Sequence, residues 1–412
     1  MNSLSPPDDQ AVGDLLAADA DEPRLRSAVD GVLSQAAGLF DVVVVGGGLA
    51  GSAAAVVLGR AGYDVALVDP HEVCPQQFRV EKFGGEQADA FRRLKLFPAI
   101  AAQATAFETV VNVRGGKVVD HTHSEYYGLR YDTLVRAVRD QLPESVRFIA
   151  DTVVDLRTGP ELQGVKLAEG PELTARLVVV ATGLADSIAQ KAGISRRTTS
   201  AKHSVTYGFD LTPAGGGRFR REALTYYGRG PVDRVDYLTL FPIGEVLRAN
   251  LFTFLDETDR RFREFRSDPK AALLGDMPDL ADWLGDFDIS GPASRWVQSL
   301  TEIEHHDRPG VVVVGDAFRT SCPAAGIGVW RLLGDIERLC AVHAPQWLGS
   351  RGMGADKIAG YYADPVKQNS DQRALKLSRA RRAVTLGRGP YWAARRGQHF
   401  LRRRISEHLR PA

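Results

Sequence analysis

The first ordered pattern along the chain is an apolar run, Phe40-Asp41-Val42-Val43-Val44-Val45, that stops at a glycine cluster and passes into the small residues Ser52 to Arg60. A short apolar run bounded by turn residues reads as a buried strand, and the small residues after it as a helix lying close on that strand. A second run, Tyr63-Asp64-Val65-Ala66-Leu67-Val68-Asp69, ends in an acid. Strand, helix and strand in this order open a parallel sheet. Tyr131 to Leu142 carries Leu134, Val135, Val138 and Leu142 at helical spacing, while Val146 to Leu156 and Leu173 to Val180 read as strands.

Between Lys202 and Phe254 the period shortens. Strand candidates His203–Phe209, Ala223–Tyr227, Val235–Phe241 and Leu247–Phe254 alternate with Gly, Pro and Asp punctuation, the signature of an inserted antiparallel sheet. A last valine run at Gly310 leads into Gly315-Asp316-Ala317, after which the pattern turns helical. From Arg373 onward the chain is basic, with eleven arginines and one lysine against the single acid Glu407. Leu401, Ile405 and Leu409 share one helical face there, with Arg402, Arg403, Arg404 and Arg410 largely elsewhere. Such a helix can dock on an anionic membrane surface or a partner, or it can cap the dinucleotide domain.

Composition narrows the classes. The 412 residues are 44% hydrophobic and 25% charged, enough for two packed domains and unlike a fibrous or wholly disordered chain. A net charge of +1 gives no global case for nucleic acid. Cys74, Cys322 and Cys340 show neither CxxC nor metal spacing, so no structural metal is expected and a reducing compartment, the cytoplasm, is. Residues 1–38 are rich in Ala, Asp, Ser and Pro, do not resemble a signal peptide, and read as an extension with helix content between Ala11 and Ala37.

The glycine cluster is Gly46-Gly47-Gly48-Leu49-Ala50-Gly51, a GxGxxG placed between strand and helix. In that context Gly46 permits a tight turn, Gly48 admits a pyrophosphate to the backbone, and Gly51 lets helix meet strand. The helix N-terminus offers N–H groups and a positive dipole end to the anion, and Asp69 stands where a carboxylate accepts from ribose hydroxyls. The pattern by itself leaves FAD and a nicotinamide both open.

The pairing of GGGLAG with GDAFRTSCPAAGIG some 270 residues later resembles the FAD-dependent class A monooxygenases, the para-hydroxybenzoate hydroxylase-like superfamily that includes geranylgeranyl reductases and flavin-dependent halogenases. The family's second motif, about GDAxHxxxPxxGxGxNxxxxD, is matched at Gly315, Asp316, Ala317, Pro323, Gly326, Gly328 and Asp335. The resemblance covers roughly residues 40 to 345. It implies an α/β chain with a Rossmann-type FAD-binding domain (39–195 and 301–345) and an inserted antiparallel substrate domain (196–300), to which the pattern outside that span adds the 1–38 extension and a helical basic segment (346–412).

The resemblance further implies that Asp316 accepts from a ribityl hydroxyl of FAD. Pro323 to Gly328 would line the isoalloxazine ring with backbone, and a helix starting near Gly328 would aim its N-terminus at the ring. Arg79 would reach the pyrophosphate or ribose, with Gln87 and Tyr131 as further cofactor contacts. The activity implied is hydroxylation or epoxidation of an apolar or aromatic small molecule with NAD(P)H and dioxygen, through a flavin C4a-hydroperoxide. An FAD-dependent dehydrogenase or isoprenoid-type reductase is the alternative on the same scaffold; a halogenase is disfavoured because WxWxIP is missing.

Departures from the family pattern fall beside the expected ring. Arg319 replaces a common histidine, Trp330 a common asparagine, and Ala181-Thr182-Gly183 stands where Ala-Asp-Gly is usual. Cys322 reads as packing next to the ring, since no second cysteine is placed for disulfide chemistry. The run Tyr237-Leu238-Thr239-Leu240-Phe241-Pro242 is similar to the strand that covers the flavin. Alternation aims either Tyr237, Thr239 and Phe241 or Leu238 and Leu240 at the substrate. His305 and His306 read as surface residues.

Overall fold

The computed structural model describes residues 39–79, 81–256 and 258–408, with side chains through Arg403. The extension 1–38, with its Ala11–Ala37 helix content, and the tail residues Leu409 and Arg410 lie outside the described residues.

Two sheets form the body. The first is built on five parallel strands in the order β6 (Val146–Ile149), β2 (Val65–Val68), β1 (Leu39–Val45), β9 (Leu173–Val180) and β15 (Val311–Val313). Antiparallel strands β7 (Val153–Arg157) and β8 (Gln163–Leu167) extend it along the first residues of β9. Val42 to Val44, Val65 to Leu67 and Leu177 to Val180 are fully buried, as a sheet covered on both faces requires. The expected single strand Val146 to Leu156 is two strands. Asp151 breaks it, its carboxylate accepting from the N–H groups of Thr152 and Gly170 at 2.6 and 2.8 Å, and the chain reverses from parallel to antiparallel pairing.

The second sheet has eight strands in the order β14 (Phe287–Glu304), β10 (Ser195–Pro213), β13 (Val246–Thr253), β12 (Val235–Ile243), β11 (Leu224–Tyr227), β4 (Thr105–Arg114), β5 (Lys117–Gly128) and β3 (Lys82–Gly84). All neighbours are antiparallel except β11 and β4. The sheet therefore draws on residues 82–128 as well as on the stretch after 195, and the two layers are interleaved along the chain. The β4–β5 hairpin turns at Gly115-Gly116, both at positive φ (54° and 68°), the backbone that a two-residue hairpin loop of the primed type demands.

Helices complete the layers. Leu49–Arg60 packs on the first sheet and is almost wholly buried. Gly328–Glu337 follows the GDA turn, and the long helix Pro365–Leu386 lies beside it. Four charged side chains are buried at that junction. Arg331 bonds Asp335 at 3.0 Å, and Lys367 bonds Asp335 and Asp371 at 2.8 and 3.1 Å, so each charge meets an opposite one. The last helix, Pro390–His408, caps the second sheet rather than the dinucleotide domain. Arg403 reaches Asp120 at 2.9 Å and Tyr227 at 2.5 Å, and Phe400 packs on Tyr227.

Candidate functional site: a dinucleotide cradle facing the second sheet

The cradle begins where β1 ends. Gly46 sits at φ 101°, and a Cβ there would lie 2.7 Å from the Ala181 carbonyl at the end of β9, so the turn is possible only without a side chain. A Cβ on Gly51 would lie 1.8 Å from the Gly46 carbonyl; helix and strand touch at that point. Gly48 caps the helix without any side-chain hydrogen bond, so the first-turn N–H groups beyond that of Leu49 stay available to an anion. The Leu49 N–H donates to the Tyr131 hydroxyl, 3.2 Å away, which places Tyr131 at this turn.

Asp69 closes the turn from the side. Its Oδ2 accepts from the Gly47 N–H at 2.7 Å and its Oδ1 from the His71 N–H at 2.8 Å. A carboxylate has about four acceptor positions, so ribose hydroxyls can still be bound. Arg139, which the sequence reading missed, holds both pieces together. Its guanidinium donates to the Gly47 carbonyl at 2.6 and 3.0 Å and to the carbonyls of His71 and Glu72 at 2.8 and 2.9 Å, with Asp69 Oδ1 at 3.7 Å. It stands at the end of an amphipathic helix, where nothing in the pattern separates it from a solvated arginine.

The second half of the site is the turn after β15. Asp316 lies on a short 3-10 turn, Gly315–Ala317, between Arg79 (3.3 Å) and the buried Arg331 (3.7 Å). Asp335 pins the turn from behind by accepting from the Gly315 N–H at 3.2 Å. The loop Pro323–Gly328 follows. Gly326 is left-handed, and Gln87 donates to its carbonyl at 2.7 Å. The helix starts at Gly328, as expected. A Cβ on Gly326 or Gly328 would meet no protein atom within 4 Å. No neighbouring protein atom accounts for glycine at 328.

Cys322 is fully buried, its N–H donating to Ser378 Oγ at 3.0 Å and its thiol to Ser204 Oγ at 3.5 Å. Burial pushes that thiol up to about 11, so it stays protonated and acts as packing. The two departures are half-buried and each has a charged neighbour. Arg319 is bound to Glu302 at 2.6 Å, and the Trp330 ring carries Arg373 at 4.5 Å. His306 is no plain surface residue: its ring lies 4.1 Å from that of Tyr362.

On β12 the odd and even residues face different neighbours. Tyr237 donates through its hydroxyl to the Ala324 carbonyl at 3.0 Å, whereas Leu238 and Leu240 belong to the sheet's other core. Thr239 accepts from Lys82 Nζ at 2.9 Å, and Phe241 is fully buried, packed with Phe107. Lys82, on β3, was not singled out by sequence.

The donor set fits FAD: a glycine turn with an uncapped helix end, an acid at the end of β2, an acid on the GDA turn and a second helix end beside an uncluttered backbone loop. Comparison with known proteins agrees. Residues 40–208 match the pyridine nucleotide-disulphide oxidoreductase family model. The protein FixC of Salmonella typhi is 24% identical over 184 residues, 40% of this chain and 42% of its own length, so the match spans less than half of that relative. Among solved structures, p-nitrophenol 4-monooxygenase PnpA from Pseudomonas putida DLL-E4 is similar at 17% identity over 88% of this chain and 94% of its own, with a TM-score of 0.70. The flavin-dependent monooxygenase PieE, solved with FAD and substrate, is similar at 19% identity over 90% and 70%, with a TM-score of 0.62. A halogenase and a flavin-dependent brominase have the same fold. The chain thus shares the fold of these flavin-dependent monooxygenases, and its first dinucleotide-binding part, residues 40–208, is similar to the pyridine nucleotide-disulphide oxidoreductase family.

Proposed function

We propose that the protein binds FAD and, with NAD(P)H and dioxygen, hydroxylates or epoxidises an apolar or aromatic small molecule. The observation that carries this reading is the seam between the sheets, where Tyr237 is bonded to Ala324 and Gln87 to Gly326 around the loop Pro323–Gly328. Among the described residues that loop joins the GDA turn to the face of β12, and a ring resting on it would meet a substrate held against Tyr237 and Thr239.

When bound, FAD supplies the redox chemistry that no side chain here can. The chain's own residues do the rest. The Gly46–Gly51 turn and the helix from Leu49 hold the pyrophosphate, Asp69 the ribose, and Asp316 the ribityl chain, with Arg79 adding positive charge beside it. The N-terminus of the Gly328 helix favours negative charge on the ring edge nearby. Tyr237, Thr239 and the aromatic residues behind them exclude water and orient the substrate.

The test is the consumption of oxygen and NAD(P)H by the purified protein with candidate aromatic compounds, read with product mass. A gain of one oxygen atom supports the proposal. A gain or loss of two hydrogens supports a dehydrogenase or isoprenoid-type reductase instead, and a halide-dependent mass gain a halogenase.

A further inference from the structure

The helix Pro390–His408 seats one face on the second sheet through Arg403 and Phe400, and Arg396 fastens it to the end of the preceding helix, donating to the carbonyls of Val384 and Gly387 at 2.7 and 2.8 Å. An adjoining face stays open. Pro390 and Ala393 line one cleft with Val232 and Arg388, and Gly397 and Leu401, one and two turns on, line a second with Arg114 and Arg229. The positions 390, 393, 397 and 401 form a single stripe along the helix. Leu401 and Val232 stand out beside it, 58% and 75% exposed, and Tyr391 on the same helix is exposed too.

Charge on this side has one sign. From Pro390 to Arg403 the helix carries no acid. Arg388, Arg395 and Arg402 are exposed, and none of them pairs with an acid among the described residues. Lys117 is exposed at the tip of the β4–β5 hairpin, two positions from the Gly115 that edges the second cleft. The acids of the neighbouring elements are engaged: Asp120 by Arg403 at 2.9 Å, Asp236 by Arg381 at 2.9 Å, and Asp233 by Arg229 through its backbone N–H at 2.7 Å and its guanidinium at 3.5 Å.

We propose that this stripe docks the protein on the surface of a membrane rich in anionic lipid. Protruding aliphatic side chains ringed by unpaired arginines fit the boundary between headgroups and acyl chains, where apolar groups enter and guanidinium groups meet phosphates. No described helix is long and apolar enough to cross a bilayer, so the contact is with its surface. A second copy docked about a two-fold axis would instead set these arginines against the same arginines. A nucleic acid backbone offers Val232 and Leu401 nothing apolar to enter.

Flotation of the full chain with vesicles of equimolar phosphatidylglycerol and phosphatidylcholine, beside vesicles of phosphatidylcholine alone, is the test. The protein should float with the anionic vesicles and stay behind with the neutral ones. Binding should weaken as salt rises from about 0.1 M to about 1 M, where the screening length falls from about 10 Å to about 3 Å. The triple variant Arg388→Ser, Arg395→Ser, Arg402→Ser should lose about a hundred-fold in affinity, roughly five-fold per charge, and the pair Val232→Ser, Leu401→Ser about ten-fold. Both variants should melt with the parent, since these side chains lie on the surface. The three native cysteines are buried, so an environment-sensitive dye on Leu401→Cys reports from one place, and its emission should shift to the blue on anionic vesicles. No binding to anionic vesicles, equal binding to neutral ones, full binding by the triple variant, or an unmoved dye each overturns the proposal. A dimer seen by light scattering and dissociated by Val232→Ser, Leu401→Ser would assign the stripe to a second copy and overturn it as well.

Discussion

The hydroxyl of Tyr237 donates to the carbonyl of Ala324 at 3.0 Å and so ties the second sheet to the loop that follows the GDA turn. Ala324 is buried, so its carbonyl has little water to fall back on. Tyr237→Phe removes the donor and keeps the ring, and the unpaired carbonyl should cost about 1–3 kcal/mol of stability. Thermal unfolding reads the loss, and flavin dissociation should quicken because the loop is freer. An unchanged melting temperature and an unchanged dissociation rate would show that the bond holds nothing in place.

Asp316 separates cofactor binding from folding. It is about one-third exposed and its partner Arg79 lies at 3.3 Å, an ion pair of the class worth at most about 1 kcal/mol. The buried Arg331 keeps Asp335 and Asp371 when Asp316 is removed. Asp316→Ala should therefore melt within a few degrees of the parent as apoprotein yet purify with much less flavin. Full FAD occupancy in the variant would remove the motif's assigned role.

Two glycines in the same site should behave in opposite ways. Gly51→Ala places a Cβ 1.8 Å from the Gly46 carbonyl, which the backbone cannot accommodate, and should prevent folding. Gly328→Ala meets no protein atom and begins a helix, where alanine is favoured by up to about 1 kcal/mol. The apoprotein should be as stable as the parent or more so, while FAD affinity drops because the methyl group intrudes on the ring's side. A Gly328→Ala protein with parental FAD affinity would place the ring elsewhere.

The dinucleotide half of this site was legible in the sequence because its requirements are local. Gly46, Gly51 and Asp69 lie within one strand-helix-strand unit, where their context singles them out, and Asp316, Gly326 and Gly328 lie within one short loop, where a family resemblance points to them. Arg139 and Lys82 escaped because their roles come from contacts across 92 and 157 positions of chain, between elements whose order in the sheets no local pattern reveals. The hairpin β4–β5 escaped for a different reason. Its strands carry Glu108, Asp120, His121, His123 and Glu125 among the valines, blurring the period, although Gly115-Gly116 between Arg114 and Lys117 is a hairpin signal that could have been used.

Acid should loosen the long C-terminal helix. His203 is buried, and its Nε2 faces the carbonyl of Ser378 at 3.2 Å; that carbonyl can only accept, so Nε2 carries the proton and Nδ1 accepts from Ser200. Burial lowers the imidazole from 6.5 to about 4. The unfolded chain therefore binds a proton that the folded one refuses, and stability falls as pH drops from about 6.5 towards 4. Unfolding midpoints should decline over that window in the parent and decline less in His203→Gln. Parallel declines in the two proteins would assign the acid sensitivity to other groups.

The central claim is the placement of FAD across the seam between the two sheets, and the most direct measurement of it is a crystal structure of the protein with its flavin bound. The account predicts density for a pyrophosphate at the N-terminus of the Leu49–Arg60 helix, an adenosine ribose on Asp69, a ribityl chain on Asp316, and a ring lying on Pro323–Gly328 with its open face towards Tyr237 and Thr239. A protein that takes up no flavin, or density that puts the ring away from that loop, would contradict it.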